Sequence, residues 1–396
     1  MHRTLFGISF GGIALAVLAG LHAYAWKRLV HDVRMPRPWR RGATVVVCLL
    51  AISLPTVFIL GRSIDPARET GAAFLAYMWL GMLFYLVLGL ATVDLLRVFA
   101  WSFALVRRKD RPTVVDPGRR LFLARAAAGS AVVGSAAIAV FGHREAGQIV
   151  TPEIEVKLPN LPHELSGFKI AHLADLHLGP LLREGFLESV VEKTNALAPD
   201  LVVITGDLVD ASVERLGHTL APLANIRARC GVAFVTGNHE YYCGAEEWVA
   251  FLRAQGIRVL MNERIEVGDP RAGGPTFDVA GIPDASGVYT GGDHAPDLDR
   301  ALRGRGAGRA LVLLAHQPRQ IALARGRGVG LQLSGHTHGG QLWPFGGLVS
   351  LYQPFVAGLH RADDGTQIYV SRGTGFWGPP MRVGNPPEIA SIVLTS

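Results

Sequence analysis

The chain has 396 residues, of which 49% are hydrophobic and 18% charged, and a formal net charge of +7. Its length allows two domains, and its excess positive charge lies in residues 1–150, with 18 Lys and Arg against 7 Asp and Glu, whereas residues 151–396 contain 21 against 25. Nucleic-acid-binding proteins concentrate positive charge on the binding domain, so the mildly acidic second part, which carries the polar motifs, argues against a nucleic-acid partner.

Four long apolar segments in the first part predict transmembrane helices. No Asp, Glu, Lys or Arg occurs in residues 5–26, 42–61 and 71–93, and only Arg125 occurs in residues 121–142. Each segment has about the 20 residues needed to cross a ~30 Å hydrocarbon core. Core helices of a soluble domain are the alternative, but they would leave too little polar surface between them. Residues 1–146 are therefore predicted to form an all-α membrane module.

The charges between the predicted helices indicate their orientation. Six Lys or Arg residues lie between the first and second helices. The third apolar segment continues to Val106, and another six lie between that residue and the fourth helix. Between the second and third helices, Arg62 and Arg68 are offset by Asp65 and Glu69. The positive-inside rule makes the two basic loops cytoplasmic. We therefore expect a multi-pass protein of the cell (inner) membrane whose second domain is extracytoplasmic.

The fourth apolar segment resembles a twin-arginine export signal. In residues 118–142, GRRLFLARAAAGSAVVGSAAIAVFG, Arg119 and Arg120 precede a weakly apolar stretch rich in Ala and Gly. An anchor helix with two flanking arginines explains the same residues equally well. Both interpretations export the domain that follows, and the sequence leaves open whether the segment is cleaved.

The three cysteines say little about the fold. Cys48 lies in the second predicted helix, while Cys230 and Cys243 lie 13 residues apart in the second part. In an oxidising compartment the latter two could form a disulfide. Two unpaired, partly buried thiols are an equal alternative.

Residues 147–396 predict an α/β domain. The strand-like segments FKIAHLAD, LVVITGD and GVAFVTGNHE are followed by helix-like segments at about residues 183–197, 212–228 and 245–255. Five more strand-like segments follow: FDVAGIPD, RALVLLAHQP, GVGLQLSGHTH, TQIYVSRG and PPEIASIVL. In α/β sheets, functional residues collect at the carboxyl ends of the strands. The polar motifs of this chain fall at those positions.

Five of these strand-like segments end in side chains that bind metal ions. They are Asp175 and His177 of ADLH, Asp207 and Asp210 of GDLVD, Asn238, His239 and Glu240 of GNHE, His316 of AHQP, and His336 and His338 of GHTH. A lone His is more often structural, and GD or GN is often only a turn, but five together exceed coincidence. Carboxylate and imidazole ligands suit Mn, Fe or Zn, and the lack of Cys disfavours structural zinc. The set predicts two metal ions that clamp a phosphoryl group.

The order and spacing of these motifs resemble the calcineurin-like metallophosphoesterases, whose series is D-x-H, G-D-x-x-D, G-N-H-E/D, a lone H and G-H-x-H. The resemblance covers about residues 165–394. It implies a four-layer αββα sandwich with two central mixed sheets. It also implies a metal-dependent phosphoric ester hydrolase in which a metal-bridged hydroxide attacks phosphorus in line, with phosphodiesters as the expected substrates.

The same resemblance implies a role for each residue of the set. One metal ion is expected to bind Asp175, His177 and His338, and the other Asn238, His316 and His336, with Asp207 bridging the two. The implied catalytic residues are His239, as general acid or transition-state stabiliser, and Asp210, which orients its neighbours. Glu240 is expected to support the ligands from behind.

The GHTH motif requires a sharp turn. Alternate residues of an extended segment point to opposite sides, so His336 and His338 reach neighbouring metal ions only if the chain turns at once. Gly335, Gly339 and Gly340 are predicted to permit that turn.

More narrowly, LQLSGHTHGGQLWPF, YVSRGTGFWGPPMRVGNPPEI and AGIPDASG resemble the branch of the family that contains membrane-associated and twin-arginine-exported bacterial phosphoesterases. The four predicted helices ahead of the domain are similar in architecture to transmembrane proteins that carry a metallophosphoesterase domain. This second resemblance rests on architecture alone.

Aromatic residues follow or flank the metal-binding motifs in segments rich in Gly and Pro. They are Trp343, Phe345, Tyr352, Phe355, Phe376 and Trp377. Core packing of long loops is one interpretation. The other is an apolar lip, formed by Trp343, Phe345 and Trp377, that enters the bilayer interface and admits a substrate with an acyl chain.

The leading hypothesis is therefore a membrane-anchored phosphoesterase that acts on lipid or envelope phosphodiesters, with the lipid bilayer as a partner. A nucleotide-linked substrate, such as a nucleotide-sugar lipid pyrophosphate or a cyclic nucleotide, is the alternative within the enzyme class. A receptor or scaffold with a vestigial site would have lost ligands, and none is missing. A transporter finds little support in four short-looped helices with one charge pair, Asp94 and Arg97.

Overall fold

The computed structural model describes residues 2–60, 66–106, 116–268, 273–306 and 308–396. The chain divides into two compact units, Met1–His143 with Gly378–Pro380, and Arg144–Trp377 with Met381–Ser396. Several charges used to predict orientation lie outside the described residues, namely Arg62, Asp65, Arg107, Arg108, Lys109 and Arg111.

Within the described part of the first unit, four helices are long and apolar enough to cross a membrane. They are α1 (His2–Trp26), α2 (Arg37–Leu60), α3 (Pro66–Val106) and α4 (Pro117–Ala146), and a π-helical turn, Lys27–His31, continues α1. Large apolar side chains such as Leu49, Phe99 and Val133 are exposed on these helices, as is typical of helix faces that contact lipid. The prediction of four membrane-spanning helices is confirmed, and the chain is a membrane protein.

Asp94 of α3 lies in a polar cluster that joins α1 to α3. Arg28 forms an ion pair with Asp94, and the Tyr24 hydroxyl donates a 2.7 Å hydrogen bond to the same carboxylate. Arg97 Nη1 lies 3.4 Å from the other oxygen of that carboxylate. Asp94 and Arg97 therefore face each other on one helix, and the cluster fixes the packing of two helices.

Two mixed sheets of six strands form the centre of the second unit, within the residues described there. In chain order the strands are β1 (Glu153–Lys157), β2 (Phe168–Leu173), β3 (Leu201–Thr205), β4 (Val232–Val235), β5 (Arg258–Val259), β6 (Glu263–Gly268), β7 (Thr276–Gly281), β8 (Leu311–Leu314), β9 (Leu331–Ser334), β10 (Gly358–Arg361), β11 (Gln367–Val370) and β12 (Ala390–Thr395). The first sheet has the order β1-β12-β2-β3-β4-β5, and the second has the order β10-β11-β9-β8-β7-β6. Strands β2 to β5 are parallel, as are β7, β8, β9 and β11.

The helices of this unit are short. They are α5 (Glu184–Ala196), α6 (Val213–Leu216), α7 (Asn238–Cys243), α8 (Ala245–Ala254), α9 (Leu298–Ala301), α10 (Ile321–Ala324) and α11 (Gly346–Val349). The helix predicted at 212–228 is instead α6 followed by a 3₁₀ segment, Gly217–Asn225, that contains Pro222. Proline lacks the N–H that a continuous α-helix would use, so that prediction was wrong in length.

Alternating strand residues build the four layers. Ile170 and Val312 belong to a core that both sheets share. The opposite face of the first sheet packs against Leu187 and Trp248 of the flanking helices, and that of the second sheet packs against Ile321. The predicted αββα sandwich is therefore confirmed. Cys230 and Cys243 are half-buried and form no disulfide with each other, so the structure has the alternative of two partly buried thiols.

This topology brings five loops to one place. In the first sheet β2, β3 and β4 are adjacent and parallel, and in the second sheet β8 and β9 are adjacent and parallel. The carboxyl ends of adjacent parallel strands lie at the same edge of a sheet. The loops that follow these five strands carry all of the predicted metal ligands.

Candidate metal centre

Three groups of side chains among the described residues have ligand atoms close enough to hold a metal ion, within 4.8 Å of one another, and two of the groups share His177. They are Asp175, His177 and His338; Asp207, His316 and His336; and His177, Asp210 and His239. In the first group, His177 Nε2 and His338 Nε2 are 3.0 Å apart. That spacing suits two nitrogens that each lie about 2.1 Å from one ion.

Asp207 belongs to the second group and also lies close to the first. Its Oδ2 atom is 3.2 Å from His316 Nε2 and 3.9 Å from His177 Nε2. Asn238 Oδ1 lies 3.2 Å from the same His316 nitrogen and so joins the second group. The structure therefore brings all seven predicted ligands together, with one carboxylate within reach of both groups.

Hydrogen bonds determine which nitrogen of two histidines faces the site. His177 Nδ1 donates to Asp210 Oδ1 at 2.9 Å, and His316 Nδ1 donates to the Thr205 carbonyl at 2.7 Å. Because a carboxylate or carbonyl oxygen only accepts, the Nδ1 atoms carry protons. In the neutral rings the lone pairs are then on Nε2, the atoms that face the candidate metal positions.

Five of the seven ligands have a left-handed backbone. The φ angles are 52° at Asp175, 48° at His177, 51° at Asp207, 72° at His336 and 53° at His338. Such conformations cost about 1–3 kcal/mol each in residues with side chains, and they cluster at functional sites. The turn in GHTH is therefore made by the two histidines themselves, followed by Gly339 and Gly340, which also have positive φ.

Gly335 has a different role from the one predicted, because its φ is not positive. A Cβ atom at Gly335 would lie 2.5 Å from Asp175 Oδ2 and 2.7 Å from the Ala174 Cβ. The missing side chain lets the loop after β9 approach Asp175, whose carboxylate accepts 2.8 and 2.9 Å hydrogen bonds from the His336 N–H. Gly335 thus permits a close approach between the two sheets.

The charges at the centre fit a divalent cation. Asp175, Asp207 and Glu240 are almost fully buried. Burial and the neighbouring charge of Asp207 raise the pKa of Asp175 to about 6 and that of Glu240 to about 7. Burial also lowers the pKa of His336 to about 3, which keeps the ring in the neutral form that binds metals. Crowded buried carboxylates beside a neutral imidazole such as that of His336 are groups that divalent metal ions bind.

Glu240 joins two of the ligand loops. Its carboxylate accepts hydrogen bonds from the backbone N–H groups of Asp207 at 3.0 Å, Leu208 at 2.8 Å and Gly237 at 2.6 Å. A Cβ atom at Gly237 would overlap the Asp207 carboxylate. Glu240 therefore holds the loops after β3 and β4 together from behind the ligands.

Asp210 and His239 form a pair beside the ligands. Asp210 Oδ1 accepts hydrogen bonds from His239 Nδ1 at 2.7 Å and from His177 Nδ1. Burial alone would lower the pKa of His239, but the charge of Asp207 and the hydrogen bond to Asp210 outweigh it and raise that pKa to about 9. A protonated imidazole at this position can transfer a proton to a departing oxygen.

Sequence reasoning missed two residues near the centre. Arg382 is fully buried, donates to the carbonyls of His338 at 2.9 Å and Arg372 at 2.6 Å, and has Nη2 3.1 Å from His338 Nδ1. Nothing in its Gly- and Pro-rich segment indicates this. The ring of Tyr242 lies 5.2 Å from the ring of His239. The spacing of three residues on a short helix could have revealed that contact.

The aromatic residues after GHTH are mostly exposed. Trp343 is 66% exposed, Phe345 44% and Trp377 57%, and Tyr352 is also exposed. Phe355 and Phe376 are half-buried. Core packing therefore does not describe the three residues assigned to the lip.

Comparisons with known proteins agree with this geometry. Residues 168–340 match the calcineurin-like phosphoesterase family. A transmembrane protein with metallophosphoesterase domain from Danio rerio is 34% identical over 391 residues, 94% of this chain and 85% of that protein. Uncharacterized metallophosphoesterases from Campylobacter jejuni and Helicobacter pylori are 33% identical over 396 residues (97% and 98% of the two chains) and 41% identical over 243 residues (61% and 63%).

The αββα fold and its clustered oxygen and imidazole ligands define a metal-dependent phosphoester hydrolase that uses divalent metal ions. With the relative from Danio rerio matched over most of its length, this chain belongs to the calcineurin-like metallophosphoesterase family. The family resemblance seen in the motifs is confirmed.

Proposed function

We propose that the protein is a membrane-anchored phosphodiesterase with a dinuclear metal centre, in which residues 1–146 anchor a catalytic domain formed by residues 147–396. The observation that most supports this is the convergence of seven ligand side chains from five strand ends. They are Asp175, His177, Asp207, Asn238, His316, His336 and His338. A single metal ion would not require so many ligands.

Asp175, His177 and His338 would hold one metal ion, Asn238, His316 and His336 would hold the other, and Asp207 would reach both. The short distances from Asp207 Oδ2 to histidines of both groups support the bridge. When bound, two ions such as Mn, Fe or Zn polarise the phosphoryl group and supply hydroxide near neutral pH for an in-line displacement.

The chain itself supplies the proton for the leaving group. His239 gives its proton to the departing ester oxygen, and Asp210 holds the imidazole in position and stabilises its charged form through the 2.7 Å hydrogen bond. The same Asp210 oxygen orients His177, which couples the proton donor to a metal ligand. Glu240 keeps the loops that carry Asp207 and Asn238 at a fixed separation.

The catalytic domain lies on the extracytoplasmic side of the cell membrane. The basic residues flanking the four helices support this orientation through the positive-inside rule. Phosphodiesters of lipids or of the envelope are accessible on that side, whereas nucleotides are mainly cytoplasmic.

The test is hydrolysis of bis(p-nitrophenyl) phosphate and p-nitrophenyl phosphate by the full-length protein in detergent with added Mn²⁺. We expect faster turnover of the diester. Asn238→Ala and His336→Ala should each abolish it, since each removes a ligand of the second ion. Preference for the monoester, or undiminished turnover in both variants, would contradict the proposal.

A further inference from the structure

Two exposed aromatic rings flank His239. The ring of Tyr242 lies 5.2 Å from the His239 ring and that of Trp377 lies 6.0 Å from it, both edge-on. Tyr242 is 71% exposed and Trp377 is 57% exposed. On its inner side, His239 contacts His177, with ring centroids 4.6 Å apart. The proton donor therefore has metal ligands on one side and apolar surface on the other.

Both rings are anchored by the loops of the metal centre. The backbone N–H of Trp377 donates to Gln341 Oε1 at 3.0 Å, and Gln341 Nε2 donates to the backbone carbonyl of Trp377 at 2.9 Å. Gln341 is nearly buried and lies three residues after His338. Tyr242 lies on α7, the short helix that also carries Asn238 and His239. Both aromatic residues therefore belong to the loops of the candidate metal centre, while their side chains remain largely exposed.

More exposed apolar side chains lie in the segment that contains Gln341. Trp343 lies two residues after Gln341, whose side chain binds the Trp377 backbone, and the backbone N–H of Trp343 donates to the Val383 carbonyl at 3.0 Å. Trp343, Phe345, Leu348 and Leu351 are exposed. We call Tyr242, Trp343, Phe345 and Trp377 the aromatic rim. These exposed rings offer apolar surface that a hydrocarbon chain can cover.

We infer that Tyr242 and Trp377 form a subsite for the leaving group, and that the substrate is a phosphodiester whose departing alcohol carries acyl chains, as in a glycerolipid. This inference rests on the proposed function, because His239 marks the leaving-group side only if it donates the proton. Covering exposed apolar surface with hydrocarbon is favourable by about 25 cal/mol per Å². The rim would gain that free energy when substrate binds.

The reaction is a hydrolysis that balances without a co-reactant. The oxygen of water bonds to phosphorus, and the bond from phosphorus to the acylated alcohol oxygen breaks. His239 gives its proton to that oxygen and recovers one from the water consumed. The products are diacylglycerol and a phosphomonoester that keeps the second alcohol.

The test compares two substrates with the same phosphodiester, dihexanoyl phosphatidylglycerol below its micelle-forming concentration and glycerophosphoglycerol, which lacks acyl chains. The full-length protein in detergent with Mn²⁺ is assayed for kcat/KM on each. Loss of contact with one indole should lower the ratio of the two kcat/KM values about tenfold in Trp377→Ala, because only the acylated substrate has a chain that covers the indole. Trp377→Phe should restore most of the ratio, and Leu359→Ala, at an exposed apolar residue of β10, should not change it.

Equal losses on both substrates in Trp377→Ala, or release of glycerol instead of diacylglycerol, would overturn the subsite. Cleavage of bis(p-nitrophenyl) phosphate without cleavage of either glycerol diester would overturn it as well, while leaving the proposed function intact. Failure to cleave any of the three diesters with metal bound would instead remove the proposed function, and the subsite with it.

Discussion

The metal ligands and the aromatic rim are neighbours that are constructed in opposite ways. Asp175 and Asp207 are buried and have left-handed backbones at strand ends. Trp343 and Trp377 lie in loops and expose more than half of their surface. A strained backbone conformation at a buried residue persists only when contacts from the surrounding structure hold it in place. Substitutions among the ligands should therefore abolish the reaction, whereas substitutions in the rim should change only which substrate is preferred.

The largest effect is expected from Asp207→Asn. The amide removes the negative charge that lies between the two ligand groups, so at least one metal ion should be lost and kcat/KM should fall on the order of 10³-fold. Metal content by mass spectrometry and diester turnover check this. Asp299→Asn, at an exposed ion pair with Arg327, is the matched control and should behave like wild type. Wild-type metal content and turnover in Asp207→Asn would contradict the bridging role.

His239→Ala should have the next largest effect. Loss of the proton donor should lower the rate about 10²- to 10³-fold for an alkyl diester, with metal content unchanged. The loss should be smaller for bis(p-nitrophenyl) phosphate, since p-nitrophenolate leaves without being protonated. The two rates are measured side by side in wild type and variant. An equal loss for both substrates would mean that His239 is not the acid.

Glu240→Gln should have an intermediate effect. The carboxylate accepts three backbone hydrogen bonds, and an amide NH₂ group would face at least one of those donors. Supporting residues of this kind typically change metal affinity or activity 10- to 100-fold, so about that loss is expected in a Mn²⁺ titration of the apoprotein. Glu247→Gln, at an exposed position of α8, is the control. An unchanged affinity would show that the loops after β3 and β4 need no such support.

Trp343→Ala should have the smallest effect. Trp343 is exposed, whereas Trp377 lies beside His239. Hydrolysis of diesters without acyl chains should therefore stay within about twofold of wild type in Trp343→Ala, while that of acylated diesters falls a few-fold. Comparison of the two rates isolates the contribution of the rim. A large loss on both substrates would mean that Trp343 supports the metal centre itself. The metal ligands and the aromatic rim would then not have separate roles.

The sequence identifies the side chains that the structure brings together, because metal chemistry requires particular side chains at strand ends and Asp175 or His316 stands out among apolar residues. Strands β5, β6 and β10 were not predicted. Each of the three is an edge strand of its sheet, and polar residues such as Glu263 of β6 and Arg361 of β10 interrupt the apolar pattern by which a strand is recognised. The role of Gly335 was misassigned because a close approach between two sheets depends on tertiary structure. Arg382 was missed for the same reason, since its partners are backbone carbonyls from distant loops.

The central claim is that two metal ions bound by these seven side chains perform the hydrolysis. The most direct measurement is a titration of the metal-free, full-length protein with Mn²⁺, following bis(p-nitrophenyl) phosphate hydrolysis against the number of ions bound per chain. We predict no hydrolysis without metal and a rate that reaches its maximum at about two bound ions. Full activity without metal, or a maximum at one bound ion, would contradict the account.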